Sequence, residues 1–322
     1  MSTSTTANNN SSADVLSAAD APRLAKYHLH EPQHFQVELV QAEHRIRLIN
    51  AWNSLSSPAA AVVIKPGARV LELGCGQGTA TTVLAEAVGP DGHVDAVDPG
   101  SLDYGAPLTL GQAQKHISEN SPVGKRISWH QATPEDFLAS TKEVEDGGKP
   151  QHWDVAVLAH CIWYFADSAV LASVLASLRG RVDKLLIAEH AMHATNPAAV
   201  PHVLSIVARG MSESFRAQTE SDENVRTPVG PRVIKEVAGG QSGGGWKLVG
   251  ETSVVPDAGM LDGSWEVGTV MSQYFVDQVE KYVDNARTKE VIMTARDTVI
   301  SAVKALNGVE PASMDVWVSV FE

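Results

Sequence analysis

The sequence predicts an α/β fold in which a mostly parallel, doubly wound sheet is covered on both faces by helices. Three observations carry this prediction. Short apolar segments alternate with helical periodicity along residues 65–191, a glycine-rich turn joins the first strand to a helix, and an acidic residue ends the second strand. Alternating strands and helices are typical of parallel sheets, because parallel neighbours need a long crossover connection.

The chain has 322 residues, 25 Lys and Arg against 38 Asp and Glu, and a formal net charge of −13. The acidic balance, without a basic run, argues against binding to nucleic acid or to a membrane surface, since both depend on clustered Lys and Arg. No segment reaches the roughly 18 consecutive apolar residues of a membrane span. The N-terminus has no basic start or apolar run, and the only cysteines are Cys75 and Cys161. We therefore expect a cytoplasmic protein without disulfides.

The N-terminal part is predicted to be a tail followed by a helical cap. Residues 1–17 are polar and of low complexity, which predicts disorder. Apolar residues recur at helical spacing from Pro32 to about Leu55 and predict one long amphipathic helix. This helix belongs to a cap that spans residues 18–60 and precedes a core of residues 61–260.

Five strands and their helices are predicted in the first part of the core. The strands are residues 69–73, 93–98, 127–131, 155–159 and 184–188. A helix over residues 78–88 follows the first strand. The helix before the fifth strand carries an apolar stripe of Leu171, Val174, Leu175 and Leu178.

The C-terminal third departs from this alternation. We expect a helix over residues 198–216, a strand over 246–255, two amphipathic helices, and a last strand over 316–321. Asn307-Gly308 is a helix stop. The two helices form an insertion of residues 261–310, and residues 311–322 return to the core. Added apolar helices around such a sheet either mediate homodimerisation or roof the ligand crevice.

The strongest local signal is the segment Val70-Leu-Glu-Leu-Gly-Cys-Gly-Gln-Gly-Thr79, a strand that runs into three alternating glycines and then a helix. Glycine permits the turn and the close approach of a ligand to bare backbone. Asp98 lies 20 residues beyond Gly78 at the end of the second strand, where a carboxylate can accept hydrogen bonds from both hydroxyls of a ribose. Together these features predict a nucleoside cofactor.

The details of the turn favour a sulfonium cofactor over a dinucleotide. Thr79 is a poor match to the third glycine of the dinucleotide fingerprint G-x-G-x-x-G. Glu72, two residues before the first glycine, would repel a pyrophosphate. A positively charged sulfonium that bears an amino-acid tail instead prefers a nearby carboxylate.

Glycines at 74, 76 and 78, with Glu72 and Asp98, resemble motifs I and II of the class I S-adenosylmethionine-dependent methyltransferases, and the resemblance covers residues 68–191. It implies a Rossmann-like seven-stranded sheet that ends in an antiparallel pair, supplied by the strands at Trp246 and Val316. It also implies S-adenosylmethionine as cofactor, with the ribose on Asp98. The other implied cofactor residues are Glu72, Gly74, Cys75, Gly76, Gly78, Pro99, Ser101, Gln131, Ala132 and His160. Gln131 stands where many family members have an acid that meets the adenine amino group.

The acceptor is predicted to be a small molecule. The D/N-P-P-Y/F loop, typical of members that methylate amide or exocyclic nitrogens, is absent after the fourth strand, where His160-Cys-Ile-Trp163 stands. The Trp163-Tyr164-Phe165 segment is similar to fungal-type natural-product methyltransferases. That resemblance implies O-methylation of an alkaloid or other aromatic hydroxyl; S- or N-methylation, or a non-methylating cyclase or binding protein, are the alternatives. The residues expected at the acceptor are Trp163, Tyr164, His190, Trp265 and Tyr274.

A methylated hydroxyl needs a general base, and histidine suits this role because its pKa lies near neutrality. His160, His193 and His202 are the catalytic candidates. No metal site is predicted: residues 30–34 match H-E-x-x-H, but Pro32 disrupts the helix that this zinc motif requires. Cys161 is interpreted as a packed thiol.

Overall fold

The computed structural model describes residues 15–55, 62–141, 150–217, 221 and 223–322. Within them one seven-stranded sheet has the order β3-β2-β1-β4-β5-β7-β6. The strands are β1 Arg69–Leu73, β2 His93–Asp98, β3 Ile127–Gln131, β4 Trp153–Ala159, β5 Val182–His190, β6 Leu248–Val254 and β7 Val316–Phe321. β1 to β5 pair in parallel, and β7 is antiparallel to both β5 and β6. The predicted seven-stranded, mostly parallel sheet is confirmed.

Eleven α-helices surround the sheet in the described residues. They are α1 Ala21–Ala25, α2 Phe35–Ser54, α3 Thr79–Ala87, α4 Leu110–Asn120, α5 Pro134–Ser140, α6 Ser168–Leu178, α7 Val200–Glu213, α8 Pro231–Gly239, α9 Asp262–Met271, α10 Gln273–Tyr282 and α11 Ala286–Ala305. Local capping explains several helix starts. Thr109 and Gln112 form a reciprocal capping box at α4, and the Asp167 carboxylate accepts hydrogen bonds from two backbone N–H groups at the start of α6.

The insertion between β6 and β7 contains three helices, so the prediction of two was wrong. Ser272 adopts an extended conformation with ψ 166° and separates α9 from α10, although the apolar stripe continues across it. Asn307 and Gly308 both have positive φ after α11, which confirms the predicted helix stop. The shorter helices α1, α4, α5 and α8 had not been predicted, because none of them is long enough to carry an extended periodic stripe.

The two faces of the sheet carry separate apolar cores. Along β1, Val70 packs on the face that α2 and α3 cover, while Leu71 and Leu73 pack on the opposite face with α6. Because side chains alternate along a strand, Glu72 points to the same face as Val70. A carboxylate is therefore placed beneath helix α2.

The insertion packs on α7 rather than on the sheet. Val267, Phe275, Ile292 and Val299 form a buried apolar cluster with Ala208 of α7. This cluster explains the amphipathic stripes of these helices. The stripes are thus covered within this chain, at least in part, by α7.

Two further sequence expectations concern the ends of the chain and membranes. Leu16 is buried, and its backbone oxygen accepts a hydrogen bond of 2.7 Å from the Asn50 amide, so the predicted disordered tail of residues 1–17 was wrong for its last residues. Residues 1–14 lie outside the described part of the chain. No helix among the described residues is long and apolar enough to cross a membrane.

Candidate functional site

The sheet order places a crevice between β1 and β4. The chain runs outward from β1 through β2 to β3 and then returns to β4 on the other side of β1. Ligands of such α/β sheets bind at this reversal, beyond the carboxyl ends of the strands. A cavity of about 540 Å³ lies there. Its volume is within the range of small-molecule sites.

The glycine turn after β1 forms one wall of this cavity. Gly74, Gly76 and Gly78 all have positive φ, at 77°, 52° and 93°. A Cβ on Gly74 would lie 2.4 Å from Cβ of Cys161, whereas a Cβ on Gly76 would meet no atom within 4 Å. Gly74 therefore allows the turn to pack against the chain after β4, and Gly76 faces open space where a ligand can approach the backbone.

Asp98, at the end of β2, holds the cofactor wall together. One of its carboxylate oxygens accepts a hydrogen bond of 2.8 Å from the Gly76 N–H, and the other accepts one of 2.8 Å from the Gly100 N–H. Each oxygen retains a further lone pair. Asp98 can thus fix the glycine turn and still accept hydrogen bonds from a ribose.

Glu72 is a buried carboxyl at the bottom of the cavity. Burial raises the pKa of Glu72 to about 7. Its Oε2 atom is buried and makes no hydrogen bond in the described structure. A cationic group that bound here would find an acceptor ready, and would favour the ionised form.

Arg45 of α2 lies across the same cavity and was missed by sequence analysis. Its Nε and Nη1 atoms are buried without a hydrogen-bond partner, and burial lowers the pKa of its guanidinium. The charges of Glu72, Glu189 and Asp262 act on it, but none of them forms an ion pair with it among the described residues. An arginine on an amphipathic helix ordinarily faces solvent, so the sequence carried no signal for this placement.

Together Arg45 and Glu72 offer a buried cation and a buried carboxyl that are not paired with one another. Leaving such groups unpaired is costly. An α-amino acid group, which carries one ammonium and one carboxylate, satisfies both. This arrangement fits the methionine end of S-adenosylmethionine.

His160 follows the tip of β4 and is the one catalytic candidate that lines the cavity. Its φ of 55° is unusual for a residue other than glycine. Its Nε2 lies 3.2 Å from Nε2 of His44 on α2, and its Nδ1 lies 3.7 Å from Oε1 of Glu189. Burial lowers the pKa of His160 to about 3, which makes its imidazole a weak base.

Glu189 and His190 end β5 next to His160. The Glu189 carboxylate accepts hydrogen bonds from the backbone N–H groups of Ile162, at 3.0 Å, and His190, at 2.9 Å. The His190 ring centroid lies 4.8 Å from that of His160. Burial raises the pKa of Glu189 and lowers that of His190. The predicted acceptor residue His190 is therefore beside the cavity but is not part of its lining.

The other two catalytic candidates do not fit a general base. His202 is fully buried, and its Nδ1 accepts a 3.0 Å hydrogen bond from the Met314 N–H, so its proton is on Nε2 and no basic nitrogen is left. His193 is exposed, and its Nε2 lies 3.1 Å from a carboxylate oxygen of Asp315. Neither residue lines the cavity.

Most predicted cofactor residues line the cavity. They are Glu72, Gly74, Cys75, Gly76, Asp98, Pro99 and His160. Four others do not. Gly78 packs against Trp129, Gln131 and Ser101 are exposed, and the Ala132 N–H donates to the Asp98 backbone oxygen.

Of the predicted acceptor aromatics, only Tyr164 lines the cavity, where Tyr104 and Phe165 join it. Trp163 is buried and donates from its ring N–H to the Val229 oxygen. Trp265 is exposed on α9, and the Tyr274 hydroxyl donates to Glu223. Their apolar character had suggested a cluster, but the last two are exposed on the insertion helices α9 and α10.

Cys161 is a packed thiol, as interpreted from the sequence. Its Sγ lies 3.1 Å from the Leu73 backbone oxygen, and burial raises the pKa of the thiol. It is therefore protonated and a poor nucleophile. Its side chain occupies the space that a side chain at position 74 would need, so that position requires glycine.

Three comparisons with known proteins bear on this site. Residues 28–102 match the family model of protein-L-isoaspartate(D-aspartate) O-methyltransferase. No curated protein sequence matches the chain. The chain is similar to a cyclopropane-fatty-acyl-phospholipid synthase-like protein from Lactobacillus casei, with 27% identity, a TM-score of 0.73, and coverage of 95% of this chain and 99% of that one. A mycolic acid cyclopropane synthase solved with S-adenosylhomocysteine is 15% identical, with a TM-score of 0.48 and coverage of 93% of each chain.

Proposed function

We propose that this chain, a class I S-adenosylmethionine-dependent methyltransferase, transfers a methyl group to a hydroxyl of a small molecule. The enzyme class and the cofactor predicted from the sequence are confirmed by the comparisons. The fungal-type resemblance, the absence of nucleic-acid partners and a homodimer remain predictions. What we propose is the class of acceptor, a small molecule, and the atom that is methylated, a hydroxyl oxygen.

One observation carries the proposal. A single cavity is lined both by the charged side chains Arg45 and Glu72 and by the aromatic side chains Tyr104, Tyr164 and Phe165. The charged end suits the amino-acid part of the cofactor. The aromatic side chains suit a small and partly apolar acceptor. The cavity volume of about 540 Å³ would have to hold both this acceptor and the cofactor.

Three side chains of the cavity wall would hold the cofactor in a defined direction. Arg45 would pair with its carboxylate, Glu72 with its ammonium, and Asp98 with its ribose hydroxyls. When bound, the cofactor supplies a methyl group on a sulfonium, which is displaced in line by the acceptor atom. Such positioning of two reactants can supply roughly 7 to 11 kcal/mol.

His160 is the residue best placed to meet the acceptor. It lies on the cavity wall at the tip of β4, between the glycine turn and the aromatic residues. Its strained backbone supports a functional role, because such strain persists mainly where function requires it. Because burial lowers the pKa of His160, its imidazole is uncharged at neutral pH and would contact the acceptor in that form.

The name of the Lactobacillus relative suggests a different acceptor, the double bond of a phospholipid acyl chain. That reaction would add a methylene group and not a methyl group. An isotope experiment separates the two. The purified chain is incubated with S-adenosylmethionine deuterated at the methyl group, and with a panel of aromatic alcohols, thiols, amines and unsaturated phospholipid vesicles.

We expect an aromatic hydroxyl product that retains all three deuterons. A lipid product that retains only two would contradict the proposal in favour of methylene transfer. A labelled thiol or amine product would support methyl transfer but contradict the proposal that the acceptor is a hydroxyl. Binding of S-adenosylhomocysteine without turnover of any acceptor would support the alternative of a non-methylating member.

A further inference from the structure

We propose that His160, Glu189 and His190 bind one divalent transition-metal ion of the zinc class at the acceptor end of the cavity. These three residues form a cluster, called here the β4–β5 cluster, at the carboxyl ends of two neighbouring strands. Because parallel strands end at the same edge of the sheet, His160 after β4 lies next to Glu189 and His190 at the end of β5, although 29 or 30 positions separate them in sequence.

The spacing of ligand atoms supports this site. Each of the three side chains offers one nitrogen or carboxylate oxygen, and these atoms all lie within 4.8 Å of one another. Ligands of a tetrahedral zinc ion at about 2.0 to 2.1 Å from the metal lie roughly 3.3 Å apart. The Nδ1 of His160 and the Oε1 of Glu189 are already 3.7 Å apart. Closing the cluster onto an ion therefore needs side-chain shifts and no backbone rearrangement.

Unsatisfied polar atoms support it independently. The Nδ1 atoms of His160 and His190 are both buried and have no hydrogen-bond partner in the described residues. Leaving a buried polar atom unpaired is costly, because the atom loses its hydrogen bond to water and gains none in the protein. Two unpaired imidazole nitrogens in a cluster with one carboxylate are better explained by a shared ligand than by separate packing defects.

The surroundings orient the proposed ligands. The Glu189 carboxylate is held by the backbone N–H groups of Ile162 and His190. The other ring nitrogen of His160 contacts Nε2 of His44 at 3.2 Å. Outer contacts of this kind fix ligand orientation in metal sites. His202 packs edge-on against His190 at 5.2 Å but cannot bind the ion, since the Met314 N–H occupies its Nδ1.

The local charge allows a dication despite the nearby guanidinium of Arg45. Glu189 belongs to the cluster itself, and the charge of Asp262 acts on both His160 and His190. Asp262 also has a buried carboxylate oxygen without a hydrogen-bond partner. Two carboxylates opposing one guanidinium leave a net negative environment. A divalent ion would change the summed formal charge of these groups from −1 to +1, so the charge imbalance would be no larger than before.

Two imidazoles and one carboxylate are a ligand set that leaves an open position for substrate. This consequence rests on the proposed function. An acceptor hydroxyl bound at that position would lose its proton to water at a lower pH, so that the O–CH₃ bond forms as the S–CH₃ bond breaks. An ion at this position would thereby activate the acceptor hydroxyl.

The test is metal binding by the untagged chain, without any acceptor. After dialysis against zinc, we expect about one equivalent of zinc by elemental analysis, in a catalytic-type site of three protein ligands. Cobalt loaded in its place should give visible absorption typical of an ion with nitrogen and oxygen ligands. His190→Ala and Glu189→Gln should each lower zinc affinity by about 100-fold or more, since each removes a ligand or weakens it.

The matched control is His152→Ala. His152 directly precedes β4, at the end of the strand opposite to His160, and its Nε2 lies 3.4 Å from a carboxylate oxygen of Asp183. The His152→Ala substitution should leave zinc binding unchanged. Circular dichroism checks that the variants fold. Substoichiometric zinc in the wild type, or equal loss in His152→Ala and His190→Ala, would overturn the site. Neither result touches the proposed methyl transfer, which isotope labelling and S-adenosylhomocysteine binding report separately.

Discussion

The two ends of the cavity differ in how their polar groups are satisfied. At the end of β1 and β2, both oxygens of Asp98 already accept backbone hydrogen bonds, from Gly76 and Gly100. At the end of β4 and β5, the Nδ1 atoms of His160 and His190 have no partner. At the first end Asp98 already fixes the glycine turn, although the Oε2 atom of Glu72 remains without a partner; at the second end the unpaired atoms are imidazole nitrogens. This contrast indicates a cofactor half whose backbone turn is fixed before binding and an acceptor half whose histidines still lack partners.

The largest expected effect is on the free energy of unfolding, at the contact between Gly74 and Cys161 where the two halves meet. Gly74→Ala places a methyl group on Cys161 and strains a positive φ, which should lower the free energy of unfolding by about 2 to 5 kcal/mol. Gly76→Ala strains the backbone but meets no atom, so its cost should be about 1 to 2 kcal/mol. Denaturant unfolding measures both. Equal destabilisation would show that Gly74 does not join the halves by close packing.

Gly76→Ala has a second consequence that sharpens the contrast. The open space at Gly76 is where the cofactor would approach the backbone, so this variant should fold yet bind S-adenosylhomocysteine more weakly. Calorimetry on the folded variant measures this. Unchanged affinity would move the cofactor away from the glycine turn.

Asp98→Ala tests whether the cofactor half is preformed. It removes two hydrogen bonds to a charged group, together with the proposed ribose contact. At about 1.5 to 3 kcal/mol each, loss of the hydrogen bonds to the two ribose hydroxyls should weaken S-adenosylhomocysteine binding about 100-fold or more, from the micromolar range that we expect for the wild type. Asp98→Asn retains one acceptor oxygen and should lose less. Wild-type affinity in Asp98→Ala would count against the ribose placement.

Arg45→Met tests the charged end of the cavity. We expect about 10- to 100-fold weaker binding of S-adenosylhomocysteine, because the carboxylate loses a charge-assisted hydrogen bond. Methylthioadenosine lacks that carboxylate, so its affinity should not change. Arg47→Met is the matched control, since Arg47 lies on the same helix but pairs with Asp257 at 2.6 Å on the surface. Equal losses for both ligands would indicate general damage to α2.

The smallest effect is a pH dependence that Glu72 confers on the same end. With a pKa near 7, the free Glu72 carboxyl is protonated below neutrality and cannot pair with the cofactor ammonium. S-adenosylhomocysteine affinity should therefore fall as pH falls below 7, by at most about tenfold per pH unit. Glu72→Gln should abolish this dependence and leave a lower, pH-independent affinity. A wild-type affinity that is flat through this range would exclude the pairing.

Sequence analysis located the cofactor half well, because its signals are local. Strands β1, β2, β3 and β7 were predicted with the boundaries that the structure shows. The glycines at 74, 76 and 78 indicated the turn, and Asp98 was found from its spacing. Each of these properties depends on a residue's own backbone conformation or on near neighbours in the chain.

The acceptor half was located poorly for the opposite reason. His160 and Tyr164 line the cavity as predicted, but His193, His202, Trp265 and Tyr274 do not. The type of each residue was informative, but its distance from the cavity depended on how α7 and the insertion pack. Helical periodicity predicts that a face is buried and does not indicate against which partner.

The sequence by itself determined the seven strands in chain order, the glycine turn, the acid that ends β2 and hence the class of cofactor. Only the tertiary structure decided that Arg45 is buried opposite Glu72, and that His44 contacts His160 across 116 residues of sequence. The physical reason is that burial and unsatisfied hydrogen bonds are properties of packed neighbours. Neighbours contributed by α2, β4 and β5 are defined only when the sheet has formed and the helix covers it.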